Sequence, residues 1–310
     1  MKSIALWMKA ARAPFFTGSL VPVAVGTSVG WYVTHQMNWG LGLVCLLGMV
    51  LLHASANMSN DYFDHLTGDD TANVEFAAPF TGGSRVIQDG LVPARQMLIA
   101  AVLCIGLASL IGIYLSFTCG PVILILGIIG IIGGFFYTAP PFRFVYKGFG
   151  ELWIGLNFGV LPVLGAAYVQ TGQEKFALAL IPALIASVPV ALLIIAILWI
   201  NQFQDMNADA LVGKRNWVVR LGRRRSSIVF AAMMAATYAV VLIGCAGGWL
   251  PWLAALSLLA LPVAVGAVRT AMRFYDDIPH LTPANAGTIA SHLATGVLLT
   301  LGIALAGRIG

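Results

Sequence analysis

The stretch Trp39–Asp64 reads WGLGLVCLLGMVLLHASANMSNDYFD, and its two ends follow different rules. From Trp39 to Leu52 no residue is charged, and the weakly polar run His53–Ser59 continues without an acid or a fixed cation. A hydrocarbon core about 30 Å thick needs roughly 20 predominantly apolar residues per helix, so residues 39–59 are long enough to cross one. Asn60, Asp61 and Asp64 then arrive within five positions, and Gly68-Asp69-Asp70 follows. An apolar run that stops in a burst of carboxylates predicts a membrane-spanning helix whose polar end carries out the chemistry.

Working outward with the same yardstick gives about nine spans, near 13–34, 39–59, 96–117, 120–138, 150–170, 176–200, 226–246, 249–268 and 286–307. The composition agrees: 59% of the 310 residues are hydrophobic and 9% charged, with a mean hydropathy of +0.90. An average soluble protein is roughly 25% charged, so no sizeable water-soluble domain fits. The expectation is one all-α, polytopic membrane domain over residues 1–310. Residues 1–12 have the charge of a signal-peptide leader, but no small-residue cleavage site follows a short apolar stretch, so the first span reads as retained. Pro162, Pro182, Pro189 and Pro262 fall within spans, where neighbouring helices accommodate kinks. Cys45, Cys104, Cys119 and Cys245 sit singly in or beside apolar segments and read as small hydrophobes, not as a disulfide framework or a zinc site. The excess of basic residues is too small to predict nucleic acid as a partner, and no protein partner is evident.

Nine spans with the N-terminus inside place 15 of the 17 basic residues on one face, leaving only Lys175 and Arg308 opposite. That is the bias of a cytoplasmic face. Eleven of the 12 acids share it, Glu174 excepted, although the positive-inside rule does not require acids to follow. The long polar connections, after the second and sixth spans, lie there too. This predicts an inner-membrane protein whose N-terminus and active-site loops are cytoplasmic.

The sixth span ends in Asn201-Gln202-Phe203-Gln204-Asp205, with Asp209 one turn on. Asn60 to Asp64 and Asn201 to Asp205 share the pattern Asn-x-aromatic-x-Asp, 141 residues apart, a weak internal repeat. On a helix, Asn60 and Asp64 face the same way, as do Asn201, Asp205 and Asp209. Asp61 is rotated about 100° from Asn60 and suits a supporting role. Carboxylates this dense need neutralising, and hard oxygen ligands suit Mg²⁺, which commonly bridges carboxylates to phosphate. Two such helix ends facing each other are able to hold a metal-bound diphosphate. Cations stand near: Gly82-Gly83-Ser84-Arg85 is a flexible turn with a charge, and Gly213-Lys214-Arg215 follows the second acidic motif. After Pro140-Pro141, which break the helix, Arg143 and Lys147 are placed to clamp a phosphate. Arg223-Arg224-Arg225 reads as a topology signal.

Taken together, Arg12, Asn60–Asp70, the Tyr-Thr-x-Pro-Pro run at 137–141 and Asp205–Gly222 resemble the UbiA superfamily of intramembrane prenyltransferases. Within it, the stretches Asn60–Asp70, Gly82–Leu91 and Asp205–Gly222 are most similar to the 1,4-dihydroxy-2-naphthoate polyprenyltransferases of menaquinone biosynthesis. Asn216, where that branch usually has Thr, and Val74–Pro79, which lacks its usual arginine, depart from the pattern. The resemblance implies helices around a central cavity that opens sideways to lipid, two Mg²⁺ ions, a polyprenyl diphosphate donor and an aromatic acceptor. It implies one metal on Asn60, Asp64 and Asp70 and another on Asp205 and Asp209. Arg85, Arg143, Lys147 and Lys214 would bind diphosphate oxygens, with Arg12 and Asn201 also among the substrate-binding groups. Tyr137 would lie near the departing allylic carbon, joining Asp64, Asp205 and Asp209 as a catalytic group. Tyr62, Phe63, Phe135, Phe136 and Phe203 are candidates to face an allylic cation. Other acceptors of that superfamily (4-hydroxybenzoate, homogentisate, haem) are the rivals in substrate.

A transporter with a cytoplasmic-side acidic site is the rival in class, since intramembrane acids often mark ion pathways. Transporters place such groups near the midplane on interrupted helices. Here only His53 and His292 lie deep, and a lone histidine in a span reads first as packed core.

Overall fold

The computed structural model describes residues 2–309, and no strand occurs among them. A short helix, α1 (Lys2–Ala10), leads through a turn at Arg12 into the 3-10 helix Ala13–Phe16 and then α2 (Thr17–Thr34). Next come α3 (Trp39–Thr67), the single turn α4 (Asp69–Ala72), α5 (Ala94–Cys119) and α6 (Val122–Phe135). A further 3-10 helix (Phe144–Lys147) precedes α7 (Gly150–Gly155), which runs through a π-helical turn (Leu156–Val160) into α8 (Leu161–Leu211). The chain finishes with α9 (Trp217–Leu221), α10 (Arg223–Ala246), the 3-10 helix Trp252–Ala260, α11 (Leu261–Phe274) and α12 (Ile278–Ile309).

Seven of these helical stretches are long and apolar enough to cross a membrane, so the protein is multi-pass. The fourth stretch, Gly150–Leu211, has 62 residues. As one straight helix it would measure roughly 90 Å, three times the hydrocarbon core. Gly172 breaks it, with φ 67° and ψ 174°. The two arms then fold back on each other: a Cβ on Gly159 would lie 2.5 Å from the Cβ of Ala191. Those residues would be about 48 Å apart on an unbroken helix. The stretch therefore supplies the two expected spans near 150–170 and 176–200. The expected span near 120–138 is shorter in the structure, at 14 residues, because the backbone leaves the helix at Phe136, ahead of the diproline. With that segment included, the arrangement agrees with the expectation of about nine.

Several helices overrun their expected limits on the acidic side, among them α3, which continues to Thr67, α8, which runs to Leu211, and α12, which begins at Ile278. Hydropathy cannot see the extra turns of α3 and α8, because their polar residues line a protein cavity and not lipid. The helices form a bundle in which α2 packs between α8 and α12, α5 lies against α3, and α10 and α11 complete the far side. One core joins Val21, Val25 and Val29 of α2 to both arms of α8 and to Leu299 and Ile303 of α12. A second packs Trp199, Ile200 and Phe203 against Phe230 and Met234 of α10. Phe203, a candidate to face an allylic cation, is wholly enclosed in that core. The outer wall of α5 exposes Leu103, Leu107 and Leu110, the surface a bilayer would cover.

Candidate active site

The first acidic motif is built by the end of α3. Asn60 and Asp64 share a face as expected, and Asn60 Nδ2 donates to Asp64 Oδ2 at 2.8 Å. Gly68, at φ 80°, turns the chain out of the left-handed C-cap, so that Asp69 and Asp70 fold back toward Asp64. One carboxylate oxygen from each of Asp64, Asp69 and Asp70 lies within 4.8 Å of the others. Asp61 points elsewhere: it accepts from the Arg12 guanidinium, the Ser84 hydroxyl and, at 3.1 Å, the Ser84 amide. It thereby pins both the N-terminal turn and the glycine turn to α3, the supporting role its rotation predicts. Arg12, left-handed at φ 52°, also reaches Asn60 Oδ1 at 3.1 Å.

The second motif lies across the cavity on α8. Asn73 Nδ2 donates to Asp205 Oδ1 at 2.6 Å, and Asn216 Nδ2 donates to Asp209 Oδ2 at 2.6 Å. The internal repeat is not kept in bonding detail. Unlike Asn60, Asn201 leaves its aspartate alone, donating to the Phe80 carbonyl at 3.2 Å and accepting from Asn285 of α12 at 2.8 Å.

Lys214 joins the two motifs. Its Nζ lies 2.5 Å from Asp69, 3.0 Å from Asp64 and 3.5 Å from Asp209. Burial acts to lower the ammonium's pKa, but Asp64, Asp209 and Asp69 outweigh it and hold the group well above its usual value. Asp70 shows the opposite balance. Burial, then the neighbouring charges of Asp64 and Asp61, push its carboxyl up to about 8.

These groups enclose a polar cavity of about 120 Å³. Its wall includes Asn60, Asp64, Asp70, Asn201, Asp205, Asp209 and Lys214 from the sequence-derived set, together with Asp69, Asn73 and Asn216, which that set omits. Asp69 was legible as the partner of Asp70 in the quoted Gly-Asp-Asp run. Asn73 and Asn216 carried no pattern of their own. Below it lies an apolar chamber of about 180 Å³, lined by Phe158, Ile194, Ile197 and Leu198 and by the polar residues His53 and Asn57. The two spaces share Arg12, Asn60, Phe80, Tyr137, Leu198 and Asn201. The aromatic rings at this junction are Phe80 and Tyr137, whereas Tyr62, Phe63, Phe135 and Phe136 stack edge to face in a chain of their own.

Three expected phosphate-binding cations stand apart from the cavity wall. Arg85 donates to the Asp70 carbonyl and covers the Phe76 ring at 4.8 Å. Arg143 lies 5.5 Å from the Tyr146 ring, and Lys147 is exposed at the end of its 3-10 helix. Arg223, read from sequence as a topology signal, also ties elements together from the start of α10: it donates to the Phe203 carbonyl of α8 at 2.9 Å and to Asp276 at 3.1 Å.

The residues present fit a hard divalent cation. Of six neighbouring aspartates, at 61, 64, 69, 70, 205 and 209, Asp61 pairs with Arg12 and Asp64, Asp69 and Asp209 pair with Lys214, while Asp70 and Asp205 have no ion-pair partner among the described residues. Within this wall Asp69 Oδ1 and Asn73 Oδ1 are buried oxygens without a hydrogen-bond partner. Unpaired hard oxygens in a region of excess negative charge are the donor set that Mg²⁺ takes.

The family model described as the UbiA prenyltransferase family matches residues 19–280. The chain is 30% identical to the 1,4-dihydroxy-2-naphthoate octaprenyltransferase of Escherichia coli, over 96% of this chain and 95% of the relative. It is 29% identical to the 2-carboxy-1,4-naphthoquinone phytyltransferase of Synechocystis, over 97% and 94%. In fold it resembles the apo structure of a UbiA homolog from Aeropyrum pernix, at 16% identity with a TM-score of 0.69, covering 94% of this chain and 97% of that one. It also resembles a UbiA homolog from Archaeoglobus fulgidus bound to GPP and Mg²⁺, at 14% identity with a TM-score of 0.52, covering 95% and 99%. With an acid-lined cavity opening onto an apolar chamber inside a membrane bundle, and a family match over most of its length, the chain belongs to the UbiA prenyltransferase family and is an enzyme that transfers prenyl groups.

Proposed function

We propose that the protein transfers a polyprenyl group from an isoprenyl diphosphate to 1,4-dihydroxy-2-naphthoate, with loss of the acceptor's carboxyl group as CO₂, in menaquinone biosynthesis. The observation that carries this reading is the junction itself. A charged head and an apolar tail need adjoining but unlike spaces, and here a carboxylate-lined cavity and an apolar chamber share Asn60, Tyr137 and Asn201. Relatives in Mycobacterium tuberculosis and Bacillus subtilis, each 28% identical over nearly the whole chain, carry the naphthoate octaprenyltransferase name.

Asn60, Asp64, Asp69 and Asp70 would hold one Mg²⁺, and Asp205 and Asp209 the other. When bound, the metal supplies positive charge against the diphosphate as it departs. The chain's own part is to orient and to exclude water. Asn60 holds the Asp64 carboxylate, while Asn73 and Asn216 hold Asp205 and Asp209. Arg12 and Lys214 add fixed positive charge beside the leaving group. Ile194, Ile197 and Leu198 keep water from the allylic carbon, and Tyr137 and Phe80 place aromatic rings in the wall beside it. The acid-lined side faces the cytoplasm of an inner membrane, a reading supported by the 15 of 17 basic residues assigned to that side.

The test is a purified-enzyme assay with geranylgeranyl diphosphate, Mg²⁺ and either dihydroxynaphthoate or 4-hydroxybenzoate. Demethylmenaquinone-type product from the naphthoate alone, lost with EDTA, supports the reading. Product from 4-hydroxybenzoate alone keeps the reaction and overturns the acceptor.

A further inference from the structure

His53 lies two turns below Asn60 on the same face of α3, in the series His53, Asn57, Asn60, Asp64 at helical spacing. At 1.5 Å per residue it sits about 10 Å deeper than Asn60. It lines the apolar chamber and is otherwise 7% exposed, packed between Phe158 at 4.5 Å and Phe16 at 5.4 Å. A polar ring at the apolar end of such a chamber costs free energy unless its nitrogens are used.

One nitrogen is used inside the protein: Nδ1 and the Ser19 hydroxyl of α2 are 2.8 Å apart. Ser19 is fully buried, and its hydroxyl has no other partner among the described residues. If Nδ1 carried the proton, the serine proton would have nowhere to go. Serine therefore donates to Nδ1, which leaves the ring proton on Nε2, an assignment by hydrogen-bond accounting. That N–H has no partner among the described residues, yet Nε2 is absent from the buried, unsatisfied atoms, so it opens on the chamber. The neighbouring carbon, Cε1, lies 3.4 Å from where a Cβ on Gly18 would stand, and a glycine there leaves the ring edge uncovered.

We infer that His53 is the acceptor-orienting residue: its Nε2–H donates to an oxygen on the ring of the aromatic acceptor, which lies in the chamber between His53 and the Asn60–Tyr137 junction. This rests on the proposed function and adds to it that the chamber receiving the donor's allylic end also takes the acceptor's ring. Both hydroxyls of 1,4-dihydroxy-2-naphthoate lie on the ring that is prenylated, so holding the 4-hydroxyl through one hydrogen bond of about 3 Å turns the carbon that takes the prenyl group, across that ring, toward the junction. The contact distinguishes oxygenated aromatics from plain ones, because an acceptor without that oxygen leaves a buried donor unpaired.

The experiment compares wild type with His53→Leu, His53→Gln and Ser19→Ala in the Mg²⁺-dependent assay, reading KM for acceptor and for donor separately. His53→Leu raises acceptor KM about fivefold to tenfold, the worth of one neutral hydrogen bond, and leaves donor KM unchanged. His53→Gln, which keeps an N–H donor, recovers part of that loss. Ser19→Ala, a change small enough to preserve packing if His53→Leu fails to fold, frees the ring to turn and gives a smaller rise. Competitive inhibition constants supply the paired measurement. Wild type favours 1,4-dihydroxy-2-naphthoate over 1-hydroxy-2-naphthoate, and the ratio falls toward one in His53→Leu. Unchanged acceptor KM in the folded variants, or an unchanged ratio, overturns the assignment. A wild-type enzyme that prenylates no aromatic acceptor overturns the functional reading instead.

Discussion

Lys214 Nζ lies 2.5 Å from Asp69 Oδ2, although 145 residues separate the two in sequence. This bond, with those to Asp64 and Asp209, ties the loop after α8 to the turn after α3. The lysine was expected to meet diphosphate oxygens, and the structure shows it holding the two acidic motifs in register.

Lys214→Met therefore has two consequences, which separate by experiment. Without metal, several buried carboxylates lose their only ammonium, and stability falls by about 3 kcal/mol, read as a lower melting temperature in detergent. With saturating Mg²⁺ much of that stability returns, while kcat stays down by about a hundredfold, the usual scale for one preorganised charge. Normal turnover in the folded variant would remove Lys214 from the machinery.

The metal-free site is also sensitive to pH. Asp70 has its carboxyl raised to about 8, so the native state binds this proton more tightly than the unfolded chain. Its contribution to stability is present below the ordinary carboxylate range and disappears as pH rises through about 8. Protein stripped with EDTA should accordingly melt lower at about pH 8 than at about pH 5, and Mg²⁺ should narrow the gap. Asp70→Asn should weaken the dependence without metal. A steeper dependence in that variant would contradict the assignment of the shift to Asp70.

Asn216 departs from the threonine usual in the naphthoate branch, and its two bonds explain what the position does. Its Oδ1 accepts from the Val219 amide at 2.9 Å, capping α9, while Nδ2 holds Asp209. Threonine serves as a cap and keeps one hydroxyl donor. Asn216→Thr should retain kcat/KM within about threefold, whereas Asn216→Ala loses cap and donor together and should fall about tenfold with a stability loss near 1 kcal/mol. Equal activity in both variants would show that Asp209 needs no partner there.

Most of this site was legible in the sequence, and the parts that were not share a physical reason. Asn60 with Asp64, and Asp205 with Asp209, announce themselves because helical spacing fixes which side chains share a face. Asn73, Asn216 and Asn285 act from turns or from another helix, and their contacts depend on how remote segments pack. Arg143 and Lys147 show where composition and packing diverge. Charge near a diproline fits a phosphate clamp on composition, but the backbone turns left-handed at Arg143, φ 47°, and Lys147 lies exposed outside the cavity wall. The division of the Gly150–Leu211 stretch was legible from length alone, since no single crossing uses 62 residues.

That division depends on one residue, which gives a prediction remote from the chemistry. Gly172 combines φ 67° with ψ 174°, a region essentially closed to residues with a Cβ. A Cβ there would meet no atom within 4 Å, so any cost of Gly172→Ala comes from the backbone and not from crowding. The expected loss is about 1–3 kcal/mol, seen as a lower melting temperature in detergent. The reversal lies at the end of both α8 arms opposite the acidic site, because the arms approach at Gly159 and Ala191 before α8 runs on to Asp205. Donor and acceptor KM should therefore match wild type in the folded fraction. A variant that melts normally would mean the chain reverses without help from this glycine. A normal melt with altered KM would instead couple the far loop to the site.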